Sequence, residues 1–228
     1  MKKATTLLAA FLAAAALVTG CSSNANNGSA EVKRVDTVSV IDLEKLNDGN
    51  SFQISYYYDT DRVREISGKL SSNLVKNKED AFILVRELAD IIGCTDPLNE
   101  LEFSAMEIRD GGWIYVFDQY YNAVPVRKGS VSILTDADGN TTHLYNNFIE
   151  NVNIATEPKI SAEEAAKLAM EKYGCDTKDE PKLVIIETGR ESIYLTWDVK
   201  LKRSNYPDEA YIDALNGTVQ AEDGPIID

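Results

Sequence analysis

Two stretches of this chain share one design, a capped amphipathic helix stopped by glycine and followed by a train of alternating strands. In the first, Asn77 caps KEDAFILVRELADII, where Ala81, Leu84, Val85, Leu88, Ala89, Ile91 and Ile92 recur at helical spacing before Gly93. In the second, Ser161 and Glu164 form a capping box ahead of Ala165, Leu168, Ala169 and Tyr173, with Gly174 at the end. LEFSAMEI, WIYVFDQYY, VPVRKGSVSIL and TTHLYNNFI follow the first helix, and KLVIIE, SIYLTWDVKL, EAYIDAL and TVQAE the second. Joints such as Asp110-Gly111-Gly112, Asp138-Gly139 and Asn216-Gly217 make sequence neighbours antiparallel hairpins rather than parallel crossovers. The expected class is α+β, in two halves that each lay one helix across an antiparallel sheet. The halves are residues 31–150 and 159–222, and Pro158 bars a continuous helix between them. Upstream, FQISYYYD and RVREISGKL read as two further strands of the first half.

The hairpin between SVSIL and TTHLY carries Asp136, Asp138 and Asn140 at every second position, the beginning of a calcium loop. An EF-hand loop needs glycine at its sixth position and a bidentate acid at its twelfth, so that oxygens can surround the ion. Counting from Asp136, those places hold Thr141 and Asn147. The stretch is therefore read as a bend, with Asp138-Gly139 suited to the positive φ values of a type I′ turn.

The first residues set the compartment. A basic head, Lys2-Lys3, leads an apolar run over Leu7–Val18, and Val18-Thr19-Gly20-Cys21 closes it. The run is shorter than the roughly 20 apolar residues of a membrane span, so residues 1–20 read as a secretory leader. The closing box resembles the lipobox of bacterial lipoproteins, which implies cleavage before Cys21, a diacylglyceryl group on its sulfur, and membrane anchoring on the extracytoplasmic face. Residues 21–30 are small and polar and read as a tether. The net charge of −14 becomes more negative when the leader takes its two lysines away, which repels phosphate backbones and excludes nucleic acid as a partner. Cys94 and Cys175 remain, each just after a helix-ending glycine. They are candidates for a disulfide in an oxidising compartment, or for free thiols if their loops do not meet.

YVFDQYYNAVPVRKGSVSILTDADGN, residues 115–140, resembles the propeptide module of fungalysin- and thermolysin-type zinc proteases, with its glutamine-aromatic strand, Gly-Val-Pro-Val and Asp-x-Asp-Gly hairpin. ISAEEAAKLAMEKYG and YIDALNGTV, residues 211–219, are similar to the opening helix and closing hairpin of a PepSY module. The resemblance implies binding positions at Gln119, Tyr120, Val124, Pro125, Val126 and Asp213, and hairpin tips at Asp138-Gly139 and Asn216-Gly217. Ala123 and Lys128 stand at or near positions where the family has glycine. The sequence also stops at Asp228, after a short tail over residues 223–228, where a protease precursor would continue into its enzyme.

Catalytic patterns are missing from the sequence. A zinc peptidase needs His-Glu-x-x-His, and His143, in an alternating strand, is the one histidine. No Gly-x-Ser-x-Gly, phosphate loop or dinucleotide fingerprint is present, so neither enzyme activity nor a cofactor or metal is expected. Its acids, DTKDE among them, read as solvated loop charges. Family propeptides inhibit their enzymes and assist their folding. The resemblance thus implies a tethered regulator whose protein partner is a secreted or surface peptidase or a cell-wall hydrolase. The alternative is a ligand-binding or structural lipoprotein for glycans or wall polymers, for which tyrosine-rich strands such as Tyr56-Tyr57-Tyr58 are the support.

Overall fold

The computed structural model describes residue 46 and residues 49–58, 60–189, 192–203 and 206–224. The leader, Cys21, the tether and most of the tail lie outside them. The described chain is mostly β-sheet with few helices. In order it runs β1 (Phe52–Tyr56), β2 (Val63–Gly68), α1 (Lys78–Glu87), α2 (Ala89–Ile92), α3 (Pro97–Glu100), β3 (Leu101–Arg109), β4 (Gly112–Tyr121), β5 (Val124–Thr135), β6 (Thr141–Asn146), α4 (Ala162–Tyr173), β7 (Lys182–Thr188), β8 (Ser192–Lys200), β9 (Glu209–Asp213) and β10 (Val219–Asp223).

Local chemistry places the helices. Asn77 is extended and its Oδ1 accepts the Asp80 N–H at 2.8 Å, while Ser161 Oγ accepts the Glu164 N–H at 3.1 Å. Gly93 and Gly174 close their helices in the left-handed region, at φ 81° and 67°. The first helix is not continuous. Leu88 departs from helical geometry, at φ −97° and ψ 8°, and splits the expected segment into α1 and α2. Ala81, Leu84, Val85, Ile91 and Ile92 still pack into one core with Tyr115, Phe117, Val131, Ile133 and Leu144. Helix α4 buries Ala165 and Ala169 against Val199, Leu201, Ala210 and Ile212 of the β8–β9 region.

The strands do not form two separate antiparallel sheets. One ten-stranded sheet follows the path β1-β2-β6-β5-β7-β8-β9-β10, with β4 also on β5 and β3 on β4. Strand β5 is paired differently along its length. Its later part pairs with β6, and its first part meets β7 in a parallel bridge, Val126 to Ile185. A bulge separates the two parts, for Val126–Gly129 stand opposite Gln119 alone, between the pairs Tyr120↔Pro125 and Asp118↔Ser130. Lys128 sits in that bulge at φ 65°.

Asn122 and Ala123 form the two-residue link between β4 and β5, at φ 48° and 64°, the positive pair that a type I′ turn requires. Left-handed backbone costs an L-residue about 1–2 kcal/mol. Glycine would relieve this while making the unfolded chain freer by about 0.4–1 kcal/mol. Ala123→Gly should therefore stabilise the domain, by about 0.5–1 kcal/mol. A higher urea midpoint at unchanged slope is the expected reading, and a lower midpoint would contradict it.

Candidate functional site

Strand β3 is an edge. It pairs with β4 alone among the described strands, and it is longer, at nine residues, than the edge strands β1 and β10, at five each. Met106 and Ile108 project from it 48% and 73% exposed, unusual for large apolar side chains. At the start of β3 opens a groove of about 720 Å³ between α3 and the β4–β5 link, lined by Leu98, Glu100, Glu102, Tyr120 and Tyr121 among others. Its α3 wall is fixed by Glu100, whose Oε2 accepts the Asp96 N–H at 3.0 Å and the Cys94 thiol at 3.2 Å. Burial, then the acids Glu102 and Asp118, push the Tyr120 hydroxyl above its ordinary range, so this wall of the groove stays a neutral phenol.

Of the positions implied by the resemblance, Tyr120 lines this groove. Gln119 is 2% exposed, and its amide bridges the Ile149 backbone: Nε2 donates to the carbonyl and Oε1 accepts the N–H, both at 2.8 Å. Val124 and Val126 lie in the core that joins β5 to Ile185 and Leu195. Pro125 pairs with Tyr120 beside the turn. Asp213 is buried and ties the β9–β10 bend, accepting the Leu215 and Asn216 N–H groups at 2.8 and 3.1 Å on Oδ1 and the Gln220 amide at 2.9 Å on Oδ2. Gln119, Val124, Val126 and Asp213 are buried, whereas Pro125 is exposed.

The turns are local structures. Asp138 and Gly139 lie at the β5–β6 tip, but positive φ is confined to Gly139, at 90°, so the bend is not type I′. Gly139 N–H donates to the Asp136 carbonyl, and Asp136 Oδ1 accepts the N–H groups of Asp138 and Asn140. The Asn140 side chain and these backbone donors hold the Asp136 carboxyl below the ordinary range. Asn216 and Gly217 bend β9 into β10, with Gly217 at φ 79° against Leu168 of α4. His143 stacks on Tyr145 at 5.8 Å on the half-buried face of β6.

Cys94 and Cys175 are both free. Cys94 is buried in the α1 core with its thiol on Glu100, whereas Cys175 packs against the α4 core, so the candidate disulfide is not made. Burial, reinforced by Glu100, pushes the Cys94 thiol far up and keeps it protonated.

A second polar constellation, unmarked by any motif, lies on the face of β8 and β9 away from α4. Arg127 of β5 donates from Nε to the Tyr211 hydroxyl at 2.8 Å and from Nη2 to Glu209 at 3.3 and 3.4 Å. Tyr211 donates to Glu209 at 2.9 Å, and Lys200 binds Glu209 while lying 3.5 Å from Asp198 Oδ2. Asp198 and Glu209 are 8% and 7% exposed. Burial, followed by the hydrogen bond and charge of Glu209, pushes the Asp198 carboxyl up to about 6. Burial also pushes Glu209 upward, but hydrogen bonds from Lys200, Asp198 and Tyr211 and the Arg127 charge outweigh it and leave Glu209 below its ordinary value. The signal for this cluster was strand alternation, since Asp198 and Lys200 flank Val199, and Glu209 and Tyr211 flank Ala210.

No model of a known protein family matches the chain, and no curated protein matches it by sequence. Among solved structures it is similar to the Bacillus megaterium YpeB C-terminal domain, at 13% identity and a TM-score of 0.41, over 83% of this chain and 97% of that one.

Proposed function

We propose that this chain is a non-catalytic lipoprotein, tethered through Cys21 on the extracytoplasmic face, that binds and regulates a secreted or surface peptidase or a cell-wall hydrolase. In this reading each half is a helix-on-sheet module, propeptide-like and then PepSY-like, built on the shared strand β5. The observation that carries it is the β3 edge: a long strand with an open side, exposed Met106 and Ile108, and a groove at its head. An extended segment of a partner can add to such an edge by main-chain hydrogen bonds and place one side chain in the groove. The resemblance to propeptide modules supports a peptidase or wall hydrolase as that partner. Tethering confines both partners to one surface, so micromolar affinity, about −8 kcal/mol, is sufficient.

The mature chain should bind and slow a secreted hydrolase of its own organism, at a Kd on the order of micromolar by surface plasmon resonance. Met106→Lys with Ile108→Lys should abolish binding and leave the melting temperature unchanged, because both side chains already face solvent. Failure of every secreted hydrolase to bind, together with a specific hit on a glycan array, would replace this reading with the ligand-binding one.

A further inference from the structure

The carboxyl groups of Asp198 and Glu209, each less than a tenth exposed, face one ammonium: Lys200 binds Glu209 and lies 3.5 Å from Asp198 Oδ2. Two buried carboxyl groups gathered on one cation disfavour each other's charge, which favours a proton on one of them. A second observation points the same way. Asp198 Oδ1 is buried and has no donor among the described groups, although Oδ2 has Lys200 at 3.5 Å. A buried carboxylate oxygen without a donor is costly, and protonation of Asp198 lowers that cost by removing the charge. We propose that Asp198 and Glu209 form a coupled acid pair, so that this face of the sheet takes up one proton in mildly acidic surroundings and releases it as they turn neutral.

The surroundings decide which acid holds the proton. Glu209 has the cations: Lys200 from β8 and Arg127 from β5 both touch it, and Tyr211 of β9 donates to it. Asp198 has Lys200 at the longer distance, Tyr211 opposite it in β9 and Lys182 opposite it in β7. The Lys128–Asp223 pair, at 3.1 Å, links β5 to β10 on the same side. Glu209 is therefore the ionised member and Asp198 the one that takes the proton. Arg127 alone enters the cluster from β5.

The direction of the pH effect follows. The Asp198 carboxyl titrates higher in the folded chain than in an unfolded one, so its charged form is penalised by folding. That penalty is fully present above about pH 6, fades as pH falls through this value, and is gone below about pH 4. Glu209 is shifted the other way, and its contribution is lost only as pH falls below about 4.3, outside this window.

Asp198→Asn keeps the shape and removes the titrating charge. Denaturant unfolding of the full chain, followed by Trp113 and Trp197 fluorescence, should show the folding constant of the wild type falling about tenfold relative to Asp198→Asn between pH 5 and pH 8. Carboxyl carbon-13 titration of the wild type should place the Asp198 midpoint well above the ordinary 4 or so, and Lys200→Met should move it higher still by removing the nearest cation. Parallel pH profiles for wild type and Asp198→Asn, or an Asp198 midpoint near 4, would overturn the proposal. The carbon-13 titration decides the matter even if the variant does not fold.

Discussion

Gln119→Leu should be among the most damaging single substitutions in the chain, lowering stability by about 2–5 kcal/mol. Leucine has nearly the same volume, so no large cavity opens; the loss is one of hydrogen bonds. Gln119 satisfies both polar groups of the Ile149 peptide, at 2.8 Å each, where Ile149 is 5% exposed and water does not reach. Each buried group left unpaired costs about 1–3 kcal/mol. Glutamate is the informative second substitution, since a carboxylate can accept the Ile149 N–H but cannot donate to its carbonyl. Gln119→Glu should thus fall between wild type and Gln119→Leu in urea midpoint. Equal midpoints for all three chains would show that the amide bridge contributes nothing.

The same residue explains what is legible in the sequence and what is not. A glutamine before an aromatic, in a strand, is visible as a pattern, and the family resemblance marks it as a binding position. In the structure it fills the space over Gly129, where an added Cβ would lie 2.5 Å from Gln119 Oε1, and holds the segment that leaves the sheet at Ile149. Sequence patterns report local geometry well. Asn77, Ser161, Gly93 and Gly174 mark helix ends because capping is decided within four residues. Hairpin neighbours are likewise read from Asp-Gly and Asn-Gly.

Non-local choices leave no such mark. That β5 pairs differently along its length depends on one parallel bridge, Val126 to Ile185, and on a bulge that needs positive φ at a lysine. Nothing in VPVRKGSVSIL separates that strand from a straight one. The Asp198–Glu209 pair is hidden for a related reason. Each acid is ordinary in its own strand, and their meeting depends on the β8–β9 register, Lys200 opposite Glu209, and on Arg127 arriving from a strand far away in sequence. The two cysteines follow like-placed glycines, which suggests a pair, but the cores behind α1 and α4 are distinct and hold one thiol each.

Gly111 and Gly112 test local strain against long-range packing at adjacent positions. Gly111 has φ 82° and open space around a would-be Cβ, so Gly111→Ala meets the left-handed penalty, offset in part by the stiffer unfolded chain, and should cost about 0.5–1 kcal/mol. At Gly112 the backbone is unstrained and the space is gone. A Cβ there would collide with the Thr135 carbonyl oxygen and stand 2.7 Å from its carbon and 2.9 Å from Asp136 Cα. All three are main-chain atoms, which cannot swing aside as a side chain would. To admit the methyl group, the start of β4 must part from the end of β5, where Ile114 pairs with Leu134 and the Trp113 N–H reaches Thr135 Oγ1 at 3.3 Å. Gly112→Ala should therefore cost more than its neighbour, about 3 kcal/mol, at the upper end of the range for overpacked sites. Hydrogen exchange would locate the damage. Faster exchange of the amides from Gly112 to Ile114, with those of β8 and β9 unchanged, is expected, because the lesion lies in the α1 half and the pairs of β8 with β9 do not pass through it. A smaller loss for Gly112→Ala than for Gly111→Ala would mean that the two hairpins lie farther apart at this point than the close approach of Gly112 to Thr135 requires.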